Sequence, residues 1–294
     1  CNNIAAGSLR CSGNIKTPSM LMVAMCFLDI IFNYLFIFVC NLGTAGAAYG
    51  TAVAYFITMV CMIYYMVMHD KILNFKQDTM LDFRPRRRVL IKASRVGIPI
   101  GLERGVMCTA QVAISAIIAP LGTVAIAANT FAINVESLCY MPGHGIAEAA
   151  TTLVGQSKGA MKPHLMRSFA WICMLMGMGI MAFMGVIMWL YAPQMLSVIT
   201  PDKAVIALGT EILRIEAWAE PGFAAAIVAM SIFVGLGKTL VPSLMNLASI
   251  WGVRVTLTLL LAPTMGLRGV WIAMAIELCF RGFIFIVRLF TKLK

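Results

Sequence analysis

The stretch 168-SFAWICMLMGMGIMAFMGVIMWLY-191 contains no charged side chain. About 20 mostly apolar residues suffice for a helix to cross the hydrocarbon core of a bilayer, and this run exceeds that length. A second run, 44-TAGAAYGTAVAYFITMVCMIYYMVM-68, is equally free of charge. Working outward from these two, further apolar stretches lie near 18–39, 96–119, 123–154, 204–236, 241–262 and 268–290, with the first run extending over 165–191. Backbone polar groups in lipid must be satisfied within the segment, so each stretch is read as a helix. The expectation is an all-α membrane protein with eight transmembrane helices. Two spans, 123–154 and 204–236, are too long for one straight crossing. Each carries a breaking sequence, Pro142-Gly143-His144-Gly145 and Pro221-Gly222, where a bend is expected.

Composition agrees. The 294 residues are 61% hydrophobic and 12% charged, whereas soluble domains run near 45–50% apolar and about 25% charged. A water-soluble enzyme is excluded. The 23 Lys+Arg outnumber the 12 Asp+Glu, for a net charge of +11. In a nucleic-acid binder this excess would form patches on a polar domain; here it falls between apolar stretches, so no nucleic-acid partner is expected. Counting Lys and Arg over alternate inter-helix segments places seventeen on one side and two on the other. The positive-inside rule then predicts that both ends of the chain face the cytoplasm. The densest segment, 69–95, carries eight of these cations and reads as a basic cytoplasmic linker. The nine cysteines show no C-x-x-C pair and no metal-ligand spacing, so they are read as small apolar-run residues, and no metal site is expected.

An internal repeat is legible. Gly13, Pro18 and Ser19 of the opening segment correspond to Gly237, Pro242 and Ser243, with Pro18 and Pro242 separated by 224 positions. Gly43 and Gly46 correspond to Gly266 and Gly269 at an offset of 223. Both copies lie on the same side by the charge rule, so the repeat is parallel, as between the halves of some transporters. A second copy ending at Lys294 would begin near Lys71. The first copy should then extend roughly 150 residues upstream of Cys1 and hold four further spans. The chain, which starts at Cys1, therefore reads as a fragment of a twelve-helix, two-bundle (six plus six) protein. Residues 1–68 would be the last two helices of the first bundle, 69–95 the linker and 96–294 the complete second bundle.

The sequence resembles the multidrug and toxic compound extrusion (MATE) transporters over nearly its whole length. The resemblance is carried by Ser8-Leu9-Arg10 through Lys16-Thr17-Pro18, Gly46-Ala47-Ala48-Tyr49-Gly50-Thr51, Gly97-Ile98-Pro99 and Ala119-Pro120-Leu121-Gly122. It continues through Tyr140-Met141-Pro142-Gly143 to Thr152-Leu153-Val154-Gly155-Gln156. It implies two six-helix bundles around a central cavity and alternating access driven by a Na⁺ or H⁺ gradient. It also implies small-molecule substrates, a monomer when complete, and residence in the plasma membrane. No cofactor beyond the coupling ion is expected. In the helix matching span 18–39 the family often places Asn first and Asp one turn later; here Asp29 comes first and Asn33 occupies the position carried over for the carboxylate. Na⁺-coupled members often have a Glu in the seventh helix and an Asp in the tenth. The matching positions hold Met107 and Phe223, so that cation site is not expected in its usual form.

Ionisable groups inside spans mark a pathway or a pair. Asp29, with Asn33 one turn on, is suited to bind Na⁺ or carry a proton. Glu136 precedes the Tyr140–Pro142 break, where freed carbonyls can face a cation. Glu216 and Glu220 are four residues apart, a like-charge arrangement that calls for a shared cation, proton or Arg. Asp29, Asn33, Gln111, Glu136, Tyr140 and Glu220 are the candidate pathway residues. Gln111 and Asn134 are also suited to interhelical hydrogen bonds. Glu277 and Arg281 are expected to neutralise each other near Arg254, and Glu211 to pair with Arg214. Glu103 and Arg104 are expected to reach outward to the cytoplasmic surface. Gly46-x-x-x-Gly50 and Gly177-x-Gly179 should allow close helix contact. A lipid-linked oligosaccharide flippase is the alternative function, but it would favour Arg and Lys at mid-span, where acidic groups dominate. A fragment without activity of its own is the third reading. No H-E-x-x-H, G-x-S-x-G or P-loop is present, so an enzyme is not expected.

Overall fold

The structure, a computed structural model, describes residues 2–68 and 87–292 and is all-helical, with no strand among the described residues. The chain forms two compact units, 1–85 and 86–294. The predicted linker 69–95 lies outside the described residues over 69–86. Its remaining part is the start of a helix, because Arg87, Arg88 and Arg95 lie within the first turns of α4 (Arg87–Ile118).

In the first unit, α1 (Asn2–Cys11) is followed by α2 (Lys16–Tyr34), which runs into a π-helical turn at Leu35–Val39, and then by α3 (Gly43–Met68). The opening residues read as a polar lead-in, yet they form an amphipathic helix whose Ala5, Ala6 and Leu9 pack on Met62. Asn2 Nδ2 donates to the Tyr55 carbonyl at 3.1 Å. The expected close contact at Gly46-x-x-x-Gly50 is realised between α2 and α3. A Cβ at Gly46 would lie 2.7 Å from the Phe36 carbonyl oxygen, and one at Gly50 would strike Asn33. Only glycine lets the two backbones approach this closely.

The second unit continues from α4 with α5 (Thr123–Gly159), α6 (Pro163–Ile199), α7 (Lys203–Glu216) and α8 (Glu220–Gly235). Next come α9 (Leu240–Ser249), a π-helical turn at Ile250–Val255, α10 (Thr256–Met265) and α11 (Leu267–Lys292). Asp202 caps α7 by accepting from the Ala204 N–H at 2.8 Å, and Pro163 starts α6, where a missing N–H costs nothing. Among the described residues seven helical segments are long and apolar enough to cross a membrane, and α7 with α8 supplies an eighth as a pair bent by 59°. This matches the predicted count.

The two expected breaks differ. At Pro221 the helix does break: the Ala219 N–H donates to the Glu216 carbonyl at 2.8 Å, closing a turn, and Pro221 sits in the first turn of α8. At Pro142 the helix runs on without interruption. A proline removes one donor from the ladder, and here Gly143 presses its backbone against Met181 of α6, so packing holds the helix through the gap.

Two apolar clusters stack along the second unit. One gathers Val135, Cys139, Met188, Leu196, Ile212 and Trp271; the other gathers Ile146, Met174, Val228, Ile232, Phe233 and Phe285. The seam between them runs past Tyr140 in α5, Met181 in α6 and Arg281 in α11. Here helices meet closely: a Cβ on Gly282 of α11 would collide with the Gly222 backbone of α8. The loops 160–162 and 236–239 share one end, where Lys158 Nζ donates to the Leu236 carbonyl at 2.5 Å. At the other end Arg268 pairs with Glu211 at 2.6 Å, so the partner of Glu211 is Arg268 and not the expected Arg214. Arg214 instead lies over the Trp189 ring, 5.2 Å from its centroid. Gly177 contacts Val228 as a close-packing site should, whereas Gly179 faces open space.

Candidate functional site

The seam of the second unit collects charge. Glu103, Glu136, Glu216, Glu220 and Glu277 are each at most 6% exposed, and Arg281 is 5% exposed. They come from α4, α5, α7, α8 and α11, joined by Arg254 from the π-helical turn. Burying a charge is costly unless it is paired, so each partner matters.

Glu277 has two partners, both on Oε1, while its Oε2 is buried without one. Arg281 Nε stands 3.2 Å from Glu277 Oε1 one turn along α11, and Ser249 Oγ donates to the same oxygen at 2.6 Å. The expected Glu277–Arg281 pair is therefore present. Glu103 accepts from Asn246 Nδ2 at 2.6 Å, which ties α4 to α9. This corrects the expectation that Glu103 reaches outward: its position on α4 faces α9, and only its neighbour Arg104 is exposed. Arg254 donates to Met274 Sδ at 2.8 Å and acts electrostatically on Glu136, Glu216 and Arg281.

Among the described residues Glu216 and Glu220 lack such partners, and Glu136 lies close enough to act on both. Neither oxygen of Glu216 nor of Glu220 has a hydrogen-bond partner. The Glu136 carboxylate acts on both Glu216 and Glu220, and Glu220 on Glu216. Five carboxylates thus face two guanidiniums, and repulsion among Glu136, Glu216 and Glu220 is relieved when a proton or a monovalent cation is shared among them. The sequence spacing put Glu216 and Glu220 on one helical face; in the structure they flank the α7–α8 break. An aromatic wall completes the centre. Phe223 stands edge-on to Tyr140 with centroids 5.8 Å apart, and Arg281 lies over the Phe223 ring at 5.8 Å. Tyr140 also meets His144 edge-on at 5.5 Å.

Of the predicted pathway residues, Glu136, Tyr140 and Glu220 come together here. Gln111 lies exposed on α4. Asp29 and Asn33 belong to the first unit, where each has one buried side-chain oxygen without a hydrogen-bond partner. Among the described residues no three His, Cys, Asp or Glu side chains converge as metal ligands. The sequence reading missed Asn246 and Ser249. Their spacing of three on the buried face of α9 was the available signal.

The family model MatE matches residues 99–260, more than half of the chain. The chain belongs to the MATE family. Among MATE relatives, a probable multidrug resistance protein NorM of Chromobacterium violaceum is 30% identical over 94% of this chain and 61% of its own length. A protein of the same description from Thermotoga maritima is 27% identical over 95% of this chain and 61% of its own. A solved MATE structure, described as an outward-facing conformation of a multidrug resistance transporter of the MOP superfamily, superposes with a TM-score of 0.91 at 22% identity. It covers 99% of this chain and 65% of that one. The chain therefore has the MATE fold and spans about three-fifths of the length of these MATE relatives. At the two positions where MATE resemblance implies cation carboxylates, Met107 packs with Ala110, Ile250 and Val255, and Phe223 stands between Tyr140 and Arg281.

Proposed function

We propose that this chain is part of a cation-coupled antiporter that exports amphipathic or cationic organic compounds by alternating access. The observation that carries the reading is the buried excess of carboxylates at Glu136, Glu216 and Glu220. Such a centre holds a proton or Na⁺ in one state and releases it when a cationic substrate or a rearrangement supplies the missing positive charge. The aromatic wall of Tyr140 and Phe223 suits flat organic cations. Relatives described as multidrug resistance proteins support the same direction.

In this reading the whole protein is a twelve-helix monomer of the plasma membrane. Residues 1–68 belong to its first bundle, 69–95 to a cytoplasmic linker and 96–294 to its second bundle, with both ends of the chain cytoplasmic. Asp29 and Asn33 offer a second cation-binding position, and Gln111 a polar contact along the pathway. The acidic centre suits cations better than the pyrophosphate of a lipid-linked oligosaccharide. The test is dye export by the full-length protein in proteoliposomes under an imposed H⁺ or Na⁺ gradient. Export should follow one of the two gradients and fall about 10²-fold or more in Glu220→Gln, the lower end of what one positioned proton-transfer group contributes. Accumulation that ignores both gradients would refute coupling.

A further inference from the structure

A cavity of about 710 Å³ opens at the end of the second unit that carries Lys158 and the 236–239 loop. Its lining includes three cations from three different elements: Arg95 of α4, Lys238 of the loop before α9, and Arg288 of α11. Among the described residues no acidic side chain lines it, and none of the three cations forms an ion pair. Arg288 lies over the Phe233 ring at 5.9 Å, and its Nε is buried without an acceptor. The cavity therefore holds an unanswered positive charge.

Two further features define the ligand. The α9 N-terminus opens into the cavity at Leu240, Val241 and Pro242 and has no side-chain cap. The Thr239 hydroxyl, which sits where a cap would, donates instead to the Val96 carbonyl at 3.3 Å. The Leu240 and Val241 N–H groups, though not Pro242, which has none, are thus left for an anion. The walls beside these polar groups are apolar and open: Ile98 is 58% exposed and Leu240 is 59% exposed. A free phosphate uses only the cationic floor. A phospholipid uses both, seating its phosphate among Arg95, Lys238 and Arg288 while its acyl chains follow Ile98 and Leu240.

We propose that this cavity binds the headgroup phosphate of an anionic phospholipid. The cations lie at the ends of candidate spans, the depth at which headgroups sit, and on the side that the positive-inside rule assigns to the cytoplasm. Basic pockets between helices at this depth suit anionic headgroups. The inference concerns a site apart from the glutamate centre and does not depend on the coupling proposed for it.

Native mass spectrometry of the full-length protein in detergent tests it, with dioctanoyl phosphatidylglycerol, dioctanoyl phosphatidylcholine and inorganic phosphate as probes. Phosphatidylglycerol should be retained in preference to phosphatidylcholine, and its affinity should fall about fivefold for each of Arg95→Gln, Lys238→Gln and Arg288→Gln. Lys203→Gln at the opposite end should leave it unchanged. Arg95 and Lys238 are exposed, so their variants carry the test even where Arg288→Gln fails to fold. Equal retention of the two lipids, or unchanged affinity in the Arg95 and Lys238 variants, would overturn the proposal. Displacement of phosphatidylglycerol by inorganic phosphate at similar concentration would assign the site to a free anion and overturn the lipid.

Discussion

Arg281 is the group whose removal should disturb this protein most. It is 5% exposed, its Nε lies 3.2 Å from the fully buried Glu277, and it also acts on Glu103 and Glu216. Changing it to Met keeps the bulk and removes the charge, so the Glu277 carboxylate is left buried with only the Ser249 hydroxyl as donor. Breaking one partner of a buried pair costs about 3–5 kcal/mol. For a cooperative unit of about 200 residues each kcal/mol moves the midpoint by roughly 2–4 °C, so Arg281→Met should melt about 6–20 °C below the parent. Replacing both partners, Arg281→Met with Glu277→Leu, removes the pair without stranding a charge and should recover most of that loss. The assay is thermal unfolding of the detergent-solubilised full-length protein, read by size-exclusion loss of the monodisperse peak. A single variant that melts within about 2 °C of the parent would refute the argument, because it implies a cost under about 1 kcal/mol. So would a double variant as unstable as the single.

Three more outcomes are expected. Gly282→Leu should destabilise by at least about 1–3 kcal/mol, since its side chain meets the Gly222 backbone and not a movable side chain, whereas Gly252→Ala, with nothing within 4 Å, should be tolerated in the same melt. Asn246→Leu removes the amide that donates to Glu103 and should cost about 1–3 kcal/mol, against little change for Asn134→Leu on an exposed face; equal melting temperatures for the two would contradict the Glu103 contact. Glu216→Gln should preserve the fold, because it removes repulsion from a carboxylate with no partner, and its melting temperature should equal or exceed that of the parent.

Much of this architecture is legible in the sequence because lipid imposes a length rule. The uncharged runs at 44–68 and 168–191 lie inside α3 and α6, and the Gly46-x-x-x-Gly50 spacing finds its partner helix. What escaped the reading depends on which way a side chain faces at a given depth. Glu103 lies close to the basic linker in sequence, yet its azimuth on α4 turns it toward Asn246. Glu211 takes Arg268 and not Arg214, since the first turn of α11 packs against α7, a long-range contact that spacing along one helix does not encode. Pro142 and Pro221 look alike as residues. They differ because α6 packs on one through Gly143 and Met181, while the other follows a closed turn at Ala219. The acidic centre was half visible: Glu136 and Glu220 stood out as charges within apolar runs, but their convergence across α5 and α8 is a property of the fold.

The central claim is that Glu136, Glu216 and Glu220 hold an exchangeable cation. The most direct measurement is ion release on substrate binding. A cationic dye is added to lightly buffered, detergent-solubilised full-length protein while a pH electrode and a sodium electrode record the solution. Dye binding should release H⁺ or Na⁺, and the release should disappear in the combined Glu216→Gln, Glu220→Gln variant while dye is still bound. Dye binding with no release of either ion, or the same release from the variant, would contradict it.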